Sequence, residues 1–390
     1  MRLSISRRAA RVAPSPIRTM TLECARVGGL NMAQGICDTQ VPEQVQRAAA
    51  RAIEAGRNVY SRFDGTEELR QELARKMKAH NGLEFDPEGE ILVTSGATAA
   101  FYVAALALLD PGDEVILFEP CYGYHVNTLH AIEAVPVFVD TRSPQWEIVP
   151  GSLERAIGPR TRAILVCSPA NPSGKVFSRE ELERISELAQ AHDLFVFTDE
   201  VYEHFVFDDR EHLSAAALPG LRERTITINA LSKTFAITGW RIGWIAADGR
   251  WSRAMGPLND LLYVCAPTPL QLGAAAGLEA LGAEFYTGIR AEYQRKRDQL
   301  CGALESAGLP PVVPQGAYYV LADISRLPGA TGLERAMALL RETGIATVPG
   351  EAFLSGERAH RLTRFCFGKT DADLADACAR LEALASGFAA

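Results

Sequence analysis

From about residue 90 the chain repeats one texture. Short runs of β-branched and other apolar residues, at 91–94, 115–118, 135–139, 163–167, 195–198 and 225–228, alternate with longer amphipathic stretches such as 98–109 and 180–192. The short runs are almost continuously apolar, the pattern of strands covered on both faces. Strand–helix–strand order of this kind predicts an α/β fold with a mainly parallel sheet and right-handed crossovers. Two helix ends are marked. Ser178-Arg179-Glu180-Glu181 reads as a capping box ahead of an apolar run, and Asn81-Gly82 as a left-handed stop after a helix over 67–80. Beyond about residue 275 the texture changes to a long helix over 286–307, a Leu309-Pro310-Pro311 turn, and then short strands and helices. This predicts a large domain over 45–275 and a smaller α+β domain built from 1–44 with 276–390.

Composition narrows the possibilities. The chain has 390 residues, 47% hydrophobic and 23% charged, an ordinary globular balance. A net charge of −8 argues against nucleic acid or an anionic membrane as partner, and no apolar run reaches the roughly 18 residues of a membrane span. Eight cysteines include no CxxC pair, and some lie in apolar runs, as Cys167 does; buried free thiols are expected. The seven histidines are scattered, with no HExxH, so no metal site is expected. Arg2, Arg7, Arg8, Arg11 and Arg18 all precede the first acid, Glu23. That resembles a mitochondrial transit peptide in composition, but its shortness favours a basic arm on a cytoplasmic protein.

Four clusters carry candidate chemistry. Ser95-Gly96-Ala97-Thr98 joins a strand to an Ala-rich helix, a turn whose free N–H groups suit a phosphate or make an ordinary helix cap. Ser168-Pro169-Ala170-Asn171-Pro172-Ser173-Gly174 is turn chemistry, placed at a strand C-terminus where open α/β sheets bind ligands. Asp199-Glu200-Val201-Tyr202 ends another apolar strand; a carboxylate there needs a partner, unless it merely caps the next turn. Lastly, Lys233 follows strand 225–228 in a mostly apolar stretch, with Arg241 eight residues on between glycines. A desolvated lysine can serve as nucleophile or base, and glycines allow backbone to approach a phosphate closely.

In this order and spacing the clusters resemble the class I/II aminotransferases, pyridoxal-phosphate enzymes of fold type I, over about residues 14–369; Ser232-Lys233…Gly239-Trp240-Arg241-Ile242-Gly243 is the most specific part. The resemblance implies a mainly parallel seven-stranded sheet domain with a smaller α+β domain, and pyridoxal 5'-phosphate as cofactor. It implies that Lys233 bonds to the cofactor aldehyde and then carries the substrate Cα proton. Asp199 would pair with the ring nitrogen, Asn171 and Tyr202 with the ring oxygen, and Tyr122 would stack on the ring. Ala97, Thr98, Ser232 and Arg241 would hold the phosphate. Tyr60 resembles the tyrosine that reaches a neighbouring subunit's phosphate, which implies a homodimer with shared sites and a lesser part for Thr268; a Tyr60 buried in its own core is the ordinary alternative. Arg364 would bind the substrate α-carboxylate, with Arg361 a poorer-spaced competitor, and Gly35 lies in the segment that closes over substrate. Where the family commonly has a phosphate-binding serine, this chain has Ala230.

The resemblance also bears on substrate. Dicarboxylate-specific members supply a cation either ahead of the Thr-Pro-x-Gln stretch, where 259–272 holds no Arg or Lys, or in the phosphate turn, where this chain has Thr98. A neutral or aromatic amino acid donating to a 2-oxo acid by a ping-pong mechanism is therefore expected. An aspartate-type aminotransferase and a cysteine-conjugate β-lyase are the alternatives. A transcription regulator would need a DNA-binding domain ahead of residue 20.

Overall fold

The computed structural model describes residues 3–387, so Arg2 of the basic arm lies outside it. β1 (Leu30–Asn31) stands apart from the main sheet. That sheet comprises β2 (Ile91–Thr94), β3 (Glu114–Glu119), β4 (Val135–Arg142), β5 (Glu147–Ile148), β6 (Thr161–Cys167), β7 (Phe195–Asp199), β8 (Thr225–Ala230) and β9 (Gly243–Ala246), in the order β2-β9-β8-β7-β6-β3-β4-β5. It has eight strands rather than seven. The eighth, β5, is a two-residue edge strand antiparallel to β4, too short to show in a hydrophobic pattern. β9 runs antiparallel to both neighbours, and the central strands are parallel.

The near-continuous apolar runs arise because both faces are covered. Val115 and Leu117 enter one core with Ala100 and Phe101, while Ile116 and Phe118 enter another with Leu182 and Ile185. Helix boundaries follow their caps. Ser178 and Glu181 form the reciprocal capping box of helix Arg179–Ala191, and Gly82 ends helix Glu67–Asn81 at φ +67°. The long helix starts three residues earlier than expected, at Ala283, and Pro311 opens a strand.

β10 (Pro311–Val312) and β11 (Tyr319–Asp323) begin a second sheet, and β12 (Ile345–Ala346) pairs in parallel with β1. β13 (Val348–Pro349) and β14 (Leu362–Cys366) complete the second sheet in the order β10-β11-β14-β13. Thus residues near the N-terminus join the C-terminal part of the chain. The basic arm is docked. Helix Arg7–Arg11 lies against helix Gly123–Ala131, with Arg8 paired to Glu133 at 3.0 Å and Ala13 exchanging hydrogen bonds with Asn127.

A polar network around Glu203 joins helix Glu67–Asn81 to the stretch after β7 and to the end of β8. Glu203 accepts from Lys76, from Asn81 at 3.0 Å and from Asn229 at 2.7 Å, while His80 and His204 pack beside it. The Lys76 ammonium supplies the positive charge that this carboxylate needs. All eight cysteines are free. No helix among the described residues is long and apolar enough to cross a membrane.

Candidate active site

The C-terminal ends of β3, β6, β7 and β8 lie at one edge of the sheet, the edge where parallel α/β sheets carry ligands. Each delivers a loop into a single cavity of about 540 Å³, which the Gly35 segment and β11 and β14 of the second sheet also line. Ala97, Thr98, Tyr122, Asn171, Asp199, Tyr202, Ser232, Lys233, Arg241, Gly35 and Arg364 all border it. Tyr60 does not. It is 79% exposed, outside any core, and Thr268 donates a hydrogen bond to its neighbour's carbonyl, Val59 O, at 2.7 Å.

At one end the walls are built for an anion. Helix Gly96–Leu108 points its N-terminus into the cavity, and Ser95 makes no side-chain cap, so its first N–H groups are unsatisfied by one. Gly96 sits at φ +80°, and a Cβ there would lie 2.3 Å from Arg241 Nη2. Gly243 in β9 backs the same turn; its Cβ would lie 2.6 Å from Gly96 C and 2.7 Å from Ala97 N. Arg241 itself holds φ +58°, with Nη1 donating to Thr238 O at 2.8 Å. The buried Ser232 hydroxyl has no hydrogen-bond partner. Glycine at 96 and 243 thus brings N–H groups, a guanidinium and an unpartnered hydroxyl to one point, which fits a phosphate. Ala230 adds no oxygen here; its N–H is taken by Asn229 Oδ1 at 2.7 Å.

Lys233 lies deeper. Its Nζ donates to Gly35 O at 3.0 Å, and the Tyr202 and Tyr318 rings lie 5.9 and 5.5 Å away. Desolvation by these walls lowers its pKa below the usual lysine value. Asp199, at the end of β7, places Oδ2 3.0 Å from His125 Nε2. Tyr202 shares a 2.9 Å hydrogen bond with Tyr319, and burial raises the pKa of both phenols.

Arg364 forms the opposite wall. It is fully buried on β14, donating from Nη1 to Asn171 Oδ1 at 2.8 Å and from Nη2 to Ala33 O at 2.6 Å. Its guanidinium lies 4.2 Å from the Tyr319 ring and 4.8 Å from the Phe353 ring, and Nε has no partner. No carboxylate among the described residues pairs with it. Arg361, by contrast, is exposed and paired to Asp323 at 2.7 Å.

Three residues were not found by sequence reasoning. His125 follows Tyr122 by three residues in the first turn of helix Gly123–Ala131, a spacing that puts both on one face. Tyr319 belongs to β11, which pairs with the Arg364 strand, a register the sequence does not reveal. Arg18, assigned to the basic arm, lines the cavity with Ile17.

A family model for aminotransferases of class I and II matches residues 27–381. The chain is 34% identical over 383 residues to an aspartate aminotransferase of Pyrococcus abyssi, covering 97% of this chain and 98% of the relative. It is 32% identical over 355 residues to the methionine aminotransferase of Escherichia coli, covering 91% and 92%. The solved N-succinyldiaminopimelate aminotransferase of Mycobacterium tuberculosis superposes with a TM-score of 0.93 at 35% identity, over 98% of this chain and 100% of that one. On this match of sequence and fold along nearly its whole length, the chain belongs to the class I and II aminotransferases.

Proposed function

We propose that the chain moves the amino group of a neutral or aromatic L-amino acid to a 2-oxo acid in two half-reactions, using pyridoxal 5'-phosphate. The observation that carries this reading is Arg364, a buried guanidinium that faces the cavity with no carboxylate of its own. A buried charge without its anion is costly, so the substrate α-carboxylate is its natural counter-ion. The phosphate end fits the cofactor through the unpartnered Ser232 hydroxyl and the glycine-backed turn. Bound there, the cofactor supplies a ring that accepts the negative charge left on Cα when a proton departs.

The protein's own residues do the rest. Asp199, oriented by His125, would meet the ring nitrogen of the bound cofactor. Asn171 holds the Arg364 fork and, with Tyr202, would meet the ring oxygen. Lys233, its pKa lowered by burial, gives up its ammonium proton more readily and can carry a proton to and from Cα. Phe101, Tyr122, Tyr124 and Ile17 give the cavity an apolar and aromatic stretch of wall, which favours neutral and aromatic side chains. The exposed Tyr60, next in the chain to exposed Val59, supports a homodimer in which Tyr60 reaches the partner's phosphate. The division into lobes of 45–275 and 1–44 with 276–390 agrees with the β1–β12 pairing. Free cysteines throughout suit the reducing cytoplasm.

The visible spectrum of cofactor-loaded protein tests the reading. Addition of single neutral or aromatic amino acids without an acceptor should convert the cofactor band to the amine form. Conversion by aspartate or glutamate alone overturns the substrate class. A persisting band with accumulating pyruvate identifies a β-lyase.

A further inference from the structure

Four cationic side chains line the cavity, Arg18, Lys233, Arg241 and Arg364, against the single carboxylate of Asp199. On the amino-transfer reading above, three have work: Lys233 with the reacting carbon, Arg241 with phosphate, Arg364 with the α-carboxylate. Arg18 is left over. Among the described residues no carboxylate, carbonyl or ring partners its side chain.

Arg18 is exposed, so the lack of a partner alone would mean little; its place on the cavity wall is what matters. Arg18 lies in the first turn of helix Pro16–Arg26, where the helix dipole disfavours a cation and favours an anion. Ile17 beside it also borders the cavity, so this turn forms part of the wall. The arm before it is fastened to Asn127 of helix Gly123–Ala131 and to Glu133 just beyond it, and that helix presents Tyr124 and Thr128 to the same cavity. The fastening holds the Arg18 turn at the site, where a free arm would wander.

We propose that Arg18 is a specificity residue that binds the second carboxylate of a dicarboxylic 2-oxo acid acceptor, and of the amino acid formed from it. The two substrates then use one cavity in two ways. The neutral or aromatic donor lies against Phe101, Tyr122, Tyr124 and Ile17. The acceptor keeps its α-carboxylate on Arg364 and turns its distal carboxylate toward Arg18. The two places where the family resemblance would put a distal cation hold no Arg or Lys here, and Arg18 supplies the charge from a third.

The test compares succinate with butyrate, which differ by one carboxylate at equal chain length. Each is titrated into the cofactor-loaded wild type, Arg18→Ala and Arg18→Lys, with the cofactor absorption band as readout. The wild type should prefer succinate, Arg18→Ala should lose that preference by roughly 10–100-fold, and Arg18→Lys should keep part of it. In kinetics with a neutral donor, the ratio of kcat/KM for 2-oxoglutarate or oxaloacetate to that for pyruvate should fall in Arg18→Ala by the same factor. The acceptor losing more identifies the chain length that reaches Arg18. An unchanged succinate preference, or equal weakening of succinate and butyrate, overturns the proposal. Succinate discrimination that depends on Arg18, in an enzyme that neutral amino acids fail to convert, overturns the donor reading and leaves Arg18 in place.

Discussion

Gly243→Ala would break the phosphate end of the cavity from behind. The added Cβ would stand 2.6 Å from Gly96 C and 2.7 Å from Ala97 N, both backbone atoms of the turn that opens helix Gly96–Leu108. Carbon atoms pack at about 3.5 Å, so strand and turn must part by roughly 0.9 Å. The strand is pinned on both sides by β2 and β8, so the turn must yield. That motion carries its N–H groups away from the point shared with Arg241 and Ser232. Overpacking of a filled interior costs about 1–3 kcal/mol, part of it as lost stability and part as lost cofactor affinity. Losing one charge-assisted hydrogen bond to phosphate alone is worth about 1.5–3 kcal/mol, a roughly 10–100-fold rise in the cofactor Kd. The assay is absorbance titration of cofactor-free protein with pyridoxal phosphate at a temperature where the variant stays folded. Gly302→Ala is the control, because a Cβ there meets nothing within 4 Å on an exposed helix position. It should raise stability by about 0.5–1 kcal/mol and leave cofactor binding untouched. A Gly243→Ala protein that binds cofactor like the wild type would refute the reasoning.

Glu203→Ala leaves the Lys76 ammonium buried without a carboxylate and should cost about 3–5 kcal/mol in urea unfolding, much of it recovered in Glu203→Leu with Lys76→Met; a loss under about 1 kcal/mol contradicts it. Acid should expose the histidines of the same network. Burial pushes His204 down from 6.5 to about 3, and His80 in the same direction, so the unfolded chain takes up their protons first. Stability is therefore full above about pH 6.5 and falls below it by up to about 1.4 kcal/mol per unit for His204, a slope that His204→Phe should flatten in thermal melts between pH 7.5 and 5. Glu203 does not confuse that window: its depressed pKa makes it act only below its ordinary value of 4.5. Tyr60→Phe and Lys233→Ala proteins, co-expressed and purified as hybrids, should report the shared site. If Tyr60 serves the partner's phosphate, the intact Lys233 of the hybrid sits opposite an intact Tyr60, and its cofactor affinity exceeds that of the Tyr60→Phe homodimer.

The sequence revealed most where local pattern and site chemistry coincide. Runs such as 163–167 are apolar at every position because odd and even residues enter different cores, and this made the parallel strands visible. Asp199, Asn171 and Lys233 stood out because each ends or follows such a run, where a polar residue needs a reason. β5 and β9 were less visible: one is two residues long, and the other hides behind the Arg241 turn. Tyr319 could not be found, since its place beside Arg364 depends on a strand register between segments more than 40 residues apart.

Arg18 shows why such a miss occurs. Charge read along the chain gave a basic arm, because Arg18 follows four other arginines with no acid among them. Charge read in space separates these residues. Arg8 pairs with Glu133 outside the cavity, whereas Arg18, in the first turn of the next helix, borders it. What distinguishes the two is the docking of the arm on Asn127 of helix Gly123–Ala131 and on Glu133 just beyond it, more than 100 residues away in sequence. The absence of a distal cation from both expected segments therefore told only where the charge was not. A substrate's second carboxylate needs a cation at a place in the cavity, and any segment that the fold brings to that place can provide it.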